Sequence, residues 1–145
     1  MTICTDKDFI PESVSSDHHT TISCFPAMSN FNGRKYPLSW IQTLQSSSHL
    51  VLLDAASFVS TNPLDLSSVK PDFVVISFYK MFGYPTGLGA LLVRNSSSAV
   101  LERRDYFGGG TVDLALVRKS ETYRRSNISQ KFEDGTIDFL GKSLE

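Results

Sequence analysis

The sequence predicts an α/β domain with a largely parallel sheet flanked by helices. Three runs predict it: Leu50 to Leu53 in HLVLLDAA, Phe73 to Ile76 in DFVVISFYK, and GLGALLVR further on. Each is apolar at consecutive rather than alternate positions, as strands buried on both faces are. Helical or turn-rich segments separate them, which is the arrangement of layered α/β folds. The 145 residues, 41% hydrophobic and 11% aromatic, supply one core of ordinary size.

The elements follow in order. Residues 1–19 are polar, contain Pro11 and show no sustained apolar period, so they read as a flexible tail, with residues 20–145 forming the domain. TTISCF is a short β-prone run closed by Pro26, and SNFNGRKYP after it is dense in turn formers. In PLSWIQTLQ, Pro37 suits the first turn of a helix, and Leu38, Trp40, Ile41 and Leu44 fall near one face. The next strand ends at Asp54, and a crossover with Asn62, Pro63 and Asp65 leads to the strand that ends near Lys80. Beyond GLGALLVR, SSSAVLERR after Asn95 reads as a short capped helix. Arg118, Lys119, Arg124 and Arg125, interleaved with Glu121, read as an exposed helix face.

Charge and composition exclude whole classes of partner. Fourteen Lys and Arg against fifteen Asp and Glu leave a formal charge of −1, which offers no field to a phosphate backbone or an anionic lipid surface. No run approaches the roughly 20 apolar residues that cross a bilayer, and the start lacks the basic-then-apolar order of a secretory signal. Neither nucleic acid nor membrane is expected as a partner, and the expected compartment is the cytoplasm. Cys4 and Cys24 are too few for a disulfide framework. Cys24, inside an apolar strand, reads as a small buried core thiol. His18 and His19 have no third residue at metal-ligand spacing, so no metal is expected.

Asp54 and Lys80 stand at or just beyond the ends of two apolar strands, where ligands of such sheets gather. Two buried charges there are costly unless paired or given to a ligand. One reading is a structural salt bridge. The other is a cofactor: a lysine that forms a Schiff base gains from desolvation, and pyridoxal phosphate needs an acid partner for its ring nitrogen. Its phosphate needs neutral donors and backbone amides, of the kind Gly108–Gly109–Gly110–Thr111 and Gly135–Thr136 supply.

The segments SNFNG, VLLDAAS, SFYKMFGYPTGLGALLVR, YFGGGT and FEDGT, in this order, resemble the class V aminotransferase fold of pyridoxal-phosphate enzymes. Within it they resemble the N-terminal, cysteine desulfurase-like domain of the molybdenum cofactor sulfurase family. The SFYK box, the PTGLGALLVR continuation and the FPAMSNFNGRKYPLSW opening carry that narrower likeness. The resemblance implies part of the large domain of a fold-type I transferase, incomplete at both ends, over roughly residues 20–140. It implies that Lys80 forms the Schiff base and moves protons at the substrate α-carbon, and that Asp54 partners the pyridine nitrogen. Asn30 would lie beside cofactor and substrate carboxylate, and Ser77 would bind the phosphate. Tyr79 stands where desulfurases place a histidine, and Ser57 where they place a glutamine for the ring oxygen. Thr136 resembles the threonine that reaches the phosphate of a neighbouring subunit, implying a homodimer.

The family's early segment before the equivalent of Thr20, its small domain with the substrate-binding arginine and persulfide cysteine, and its molybdenum cofactor module find no counterpart. The chain is therefore expected to be a central fragment. The implied reaction takes sulfur from L-cysteine, leaves alanine, and delivers the sulfur to the molybdenum cofactor. Two other readings stay open: a desulfurase or lyase with another acceptor, and a noncatalytic chain without a complete pocket.

Overall fold

Ile22–Pro26 (β1), Leu50–Asp54 (β2), Phe73–Ser77 (β3) and Gly89–Val93 (β4) form one sheet in that spatial order. The computed structural model describes residues 20–83, 87–102, 104, 106–119 and 121–135. They fall into two compact units that divide between Arg94 and Asn95. In the first unit β1, β2 and β3 run parallel, with Ile22 opposite Leu50 and Leu52 opposite Phe73. Strand β4 pairs antiparallel with β3, Ser77 opposite Gly89. The link between them, residues 78–88, is shorter than the dozen or so residues a parallel crossover takes. The largely parallel sheet read from the sequence is thus present, closed by one reversed strand.

Helix Trp40–Ser46 (α1) fills the crossover between β1 and β2. It begins three residues after Pro37, whose carbonyl accepts from the Trp40 N–H at 3.2 Å. At its end Ser48 adopts φ of 63°, the left-handed conformation that glycine usually takes after a helix. The helix buries Ile41 and Leu44 against Phe25, Val51 and Leu53, with Ala27 and Phe58 completing the core. The Trp40 ring lies 5.7 Å from Phe25 and 5.8 Å from Tyr36.

Asp72, 3% exposed, ties these layers together. Its Oδ2 accepts from the Val51 N–H and from Gln45 Nε2, both at 2.9 Å. Arg94 at the end of β4 lies 3.9 Å from Oδ1. A buried carboxylate is tolerable when its lone pairs are filled in this way.

Cys24 departs from expectation. It is exposed, because β1 is the outermost strand and its exposure alternates, with Phe25 turned to the core and Ile22 and Cys24 away from it. Lys80 lies just beyond β3, on the one-turn helix Tyr79–Phe82 (α2) that follows it.

In the second unit the short helix read beyond Asn95 is present as a 3-10 helix, Asn95–Glu102. The basic cluster is not on a helix either: Val112–Leu116 (β5) and Glu121–Arg124 (β6) form an antiparallel hairpin. Thr122 and Tyr123 favour extended backbone, and charges spaced this closely fit a hairpin as well as a helix. Helix Ile128–Phe132 (α3) follows, capped by Asn127 Oδ1, which accepts from the Ser129 N–H at 3.0 Å. The triple-glycine run forms a 3-10 turn, Gly109–Thr111. Gly108 before it is required, since a Cβ there would stand 2.1 Å from the Asp134 carbonyl oxygen. Its N–H donates to Asp134 Oδ1 at 2.8 Å, and Asp134 also pairs with Arg104. No described helix is long and apolar enough to cross a membrane. Residues 1–19 and Thr136 lie outside the described residues.

Candidate active site

Because β1, β2 and β3 are parallel, their carboxyl ends open on one side of the sheet, and the chain leaving each end carries one residue of the site. Asn30 lies four residues beyond β1, Ser57 three beyond β2 and Lys80 three beyond β3. The ladder continues past the strands and fixes these exits: the Ala27 N–H donates to the Asp54 carbonyl at 2.8 Å and the Ala55 N–H to the Val75 carbonyl at 3.0 Å.

Each exit is built by short-range chemistry. The Asn30 turn is closed by the Ser29 N–H on the Arg34 carbonyl at 2.8 Å and the Gly33 N–H on the Ser29 carbonyl at 3.0 Å. Gly33 takes φ of 70°, and Asn32 Oδ1 accepts from the Arg34 N–H at 3.1 Å. Such turns favour Gly and Asn for these two reasons. The Ser57 turn is held by the Val59 N–H on the Ala55 carbonyl, and by Ser60 Oγ on the Ser57 carbonyl at 2.7 Å. Helix α2 stops at Gly83, with φ of 85° and its N–H on the Tyr79 carbonyl at 2.8 Å.

These turns bring three side chains to a common point. Lys80 Nζ donates to Asn30 Oδ1 at 2.9 Å and to Ser57 Oγ at 3.0 Å, while Ser57 Oγ donates to Asn30 Oδ1 at 2.9 Å. The amide oxygen has two lone pairs and receives one donor on each. The salt-bridge reading fails here: no ion pair joins Lys80 to Asp54. The amine is held by neutral oxygens, an arrangement that orients it without a fixed counter-charge.

Asp54 ends β2 opposite Pro26 of β1 and Val75 of β3. It is exposed rather than buried, and its Oδ1 accepts from the Ala56 N–H at 3.0 Å. Ser77 closes β3 and is half-buried. Tyr79 is 43% exposed, and its ring centroid lies 6.0 Å from Lys80 Nζ, a cation–π approach that the sequence reading missed. A tyrosine adjacent to a lysine is too common a pair for sequence alone to signal it. The buried carboxylate of Asp72 was also unsignalled, since its partners come from other segments of the chain.

Residues 9–142 match the family model Aminotransferase class-V. The chain is 52% identical over 139 residues to molybdenum cofactor sulfurase of Danio rerio, and 54% identical over 126 residues to that of Homo sapiens. These alignments cover 89% and 81% of this chain but 16% and 14% of those proteins, so the chain spans a small part of the length of these relatives. Its fold is similar to the cysteine desulfurase CsdA of Escherichia coli, with TM-score 0.70 and 27% identity over 83% of this chain and 29% of that one. A cysteine desulfurase of Thermococcus onnurineus shares the fold at TM-score 0.69 and 20% identity, over 83% of this chain and 30% of that one. A family match across most of its length makes this chain a member of the aminotransferase class-V family.

Proposed function

We propose that this chain carries the cofactor lysine of a sulfur transferase that takes sulfur from L-cysteine, leaving alanine, and passes it to the molybdenum cofactor. The observation that carries the proposal is the Lys80 amine, bound by Asn30 and Ser57 and, among the described residues, by no carboxylate, at the carboxyl ends of three parallel strands. The acceptor follows from the likeness to molybdenum cofactor sulfurases, and the sulfur chemistry from the likeness to cysteine desulfurases. Residues 20–145 would then belong to the large domain of such an enzyme.

The residues present fit pyridoxal phosphate. Among the described residues, Lys80 is a primary amine with only neutral partners, and Asp54 is a carboxylate at a neighbouring strand end with no cation committed to it. When bound, pyridoxal phosphate supplies an aldehyde for the amine and a ring that draws electrons from the substrate carbon. Lys80 would hold it, then carry a proton to or from the substrate α-carbon. Asp54 would keep a proton on the ring nitrogen. Asn30 and Ser57 would aim the Lys80 amine and, once it is engaged, offer the freed amide oxygen and hydroxyl to cofactor and substrate. Ser77 and Tyr79 would contact the phosphate, with Thr136 doing so for a second copy in a homodimer.

The test is an absorbance spectrum of the chain with pyridoxal phosphate, before and after borohydride, alongside Lys80→Ala. A visible band and a reduced adduct mapped to Lys80, both lost in the variant, are expected. An adduct spread equally over other lysines in both proteins would sink the proposal.

A further inference from the structure

Arg104, Arg118, Lys119 and Arg124 line one hollow of about 710 Å³ in the second unit, remote in sequence from the Lys80 turn. On a helix, Arg118, Lys119 and Arg124 would form a solvated face. The hairpin instead gathers them, from its turn and its second strand, around the same hollow as Arg104. Among the described residues Glu121 is the one acid on its wall, while Phe107 and Leu116 give the wall an apolar part.

The charge is largely uncompensated. Arg104 pairs with Asp134, but among the described residues no carboxylate forms an ion pair with Arg118, Lys119 or Arg124. Glu102, whose carboxyl feels the Arg124 charge, is itself bonded to Lys131 at 2.8 Å. One nitrogen in each of two guanidinium groups lacks an acceptor: Arg104 Nε and Arg124 Nη1 are buried with no hydrogen-bond partner, while Arg104 Nη2 donates to the Lys131 carbonyl and Arg124 Nη2 to the Arg104 carbonyl. A buried donor without an acceptor is unfavourable and calls for an explanation. An anion's oxygens would provide acceptors, and the guanidinium fork suits phosphate above other anions.

We infer that this hollow binds the phosphate of a phosphate monoester, with an apolar body resting on Phe107 and Leu116. The inference is independent of the Lys80 site.

Titration calorimetry of the whole chain with phenyl phosphate and with inorganic phosphate tests it. Arg118 and Lys119 are exposed and lie in the hairpin turn, so the double substitution Arg118→Ala, Lys119→Ala removes charge without removing a described ion pair or side-chain hydrogen bond. Phenyl phosphate should bind one to one and more tightly than inorganic phosphate. The double variant should bind it about tenfold more weakly, as loss of a charge-assisted contact implies. Arg124→Gln should weaken it further, with circular dichroism confirming that the variants stay folded. No binding of phenyl phosphate would overturn the inference. So would undiminished affinity in the folded double variant, which would put the phosphate elsewhere, or equal affinity for the two ligands, which would mean an adventitious ion only.

Discussion

Lys80 Nζ and Asn30 Oδ1 lie 2.9 Å apart although fifty positions separate them in sequence. The bond joins the turn after β1 to the helix after β3, with Ser57 from the exit of β2 between them. The amine is thus positioned by the ends of three successive parallel strands, and its partners carry no charge.

Neutrality is the property to test. Asn30→Asp would place a carboxylate beside the amine and favour the ammonium, so adduct formation with pyridoxal phosphate should slow about two- to fivefold at neutral pH, the range of a partly exposed ion pair. Its pH profile should move toward alkaline values. Ser57→Ala removes two hydrogen bonds, the one accepted from Lys80 Nζ and the one donated to Asn30 Oδ1, each worth about 0.5–1.5 kcal/mol, and should slow the reaction without displacing the profile. Identical profiles for Asn30→Asp and the parent chain would contradict this account.

Asp72 should govern stability rather than chemistry. Asp72→Ala strands the Val51 N–H inside the core and should cost about 2–4 kcal/mol. Asp72→Asn keeps an acceptor and should cost less. Denaturant unfolding of the two variants measures the difference, and an equal loss in both would show that the acceptor is not what matters.

Gly108 tolerates no side chain, because the atom it would strike is backbone: the Asp134 carbonyl oxygen, 2.1 Å from a Cβ built there. Gly108→Ala should destabilise the second unit by about 1–3 kcal/mol, as overpacking does. Thermal unfolding reads this. Gly109→Ala, with open space around the added methyl, is the control that should change little.

Acid should loosen the second unit through Asp134. The Gly108 N–H, and after it the Arg104 side chain, hold this carboxyl below the usual aspartate range. A depressed folded-state pKa means that the ionised form favours folding. The contribution is complete above the ordinary aspartate value and is lost as pH falls through the folded value, hence below about pH 4. Chemical shifts of Gly108 and Thr111 followed by NMR through this range should report the loosening, and in Asp134→Asn the transition should be absent.

Much of this molecule is legible in its sequence, and the limits have physical causes. The strands at Leu50–Asp54 and Phe73–Ser77 announce themselves because runs apolar at every position suit few environments except a covered parallel sheet. Asp54 and Lys80 stand out because charge terminates those runs. Asn30 and Ser57 do not, since a polar residue in a turn is ordinary, and only resemblance to a family singles them out. Cys24 was misjudged because apolarity does not say which strand is outermost. The 112–124 hairpin is not legible because closely spaced charges carry no period of their own, and the reversed direction of β4 follows from a short link rather than from residue type.

The same three-strand construction sets the order in which the chain can mature. Strands β3 and β4, joined by residues 78–88, zip locally. Pairing Ile22 with Leu50 and Leu52 with Phe73 must first close long loops, which costs chain entropy before any contact rewards it. Asn30 arrives only with β1, so a refolding molecule gains its oriented amine only once β1 has paired with β2. A lesion that delays sheet completion would therefore surface as late cofactor capture by a chain whose chemistry, once assembled, is unaltered.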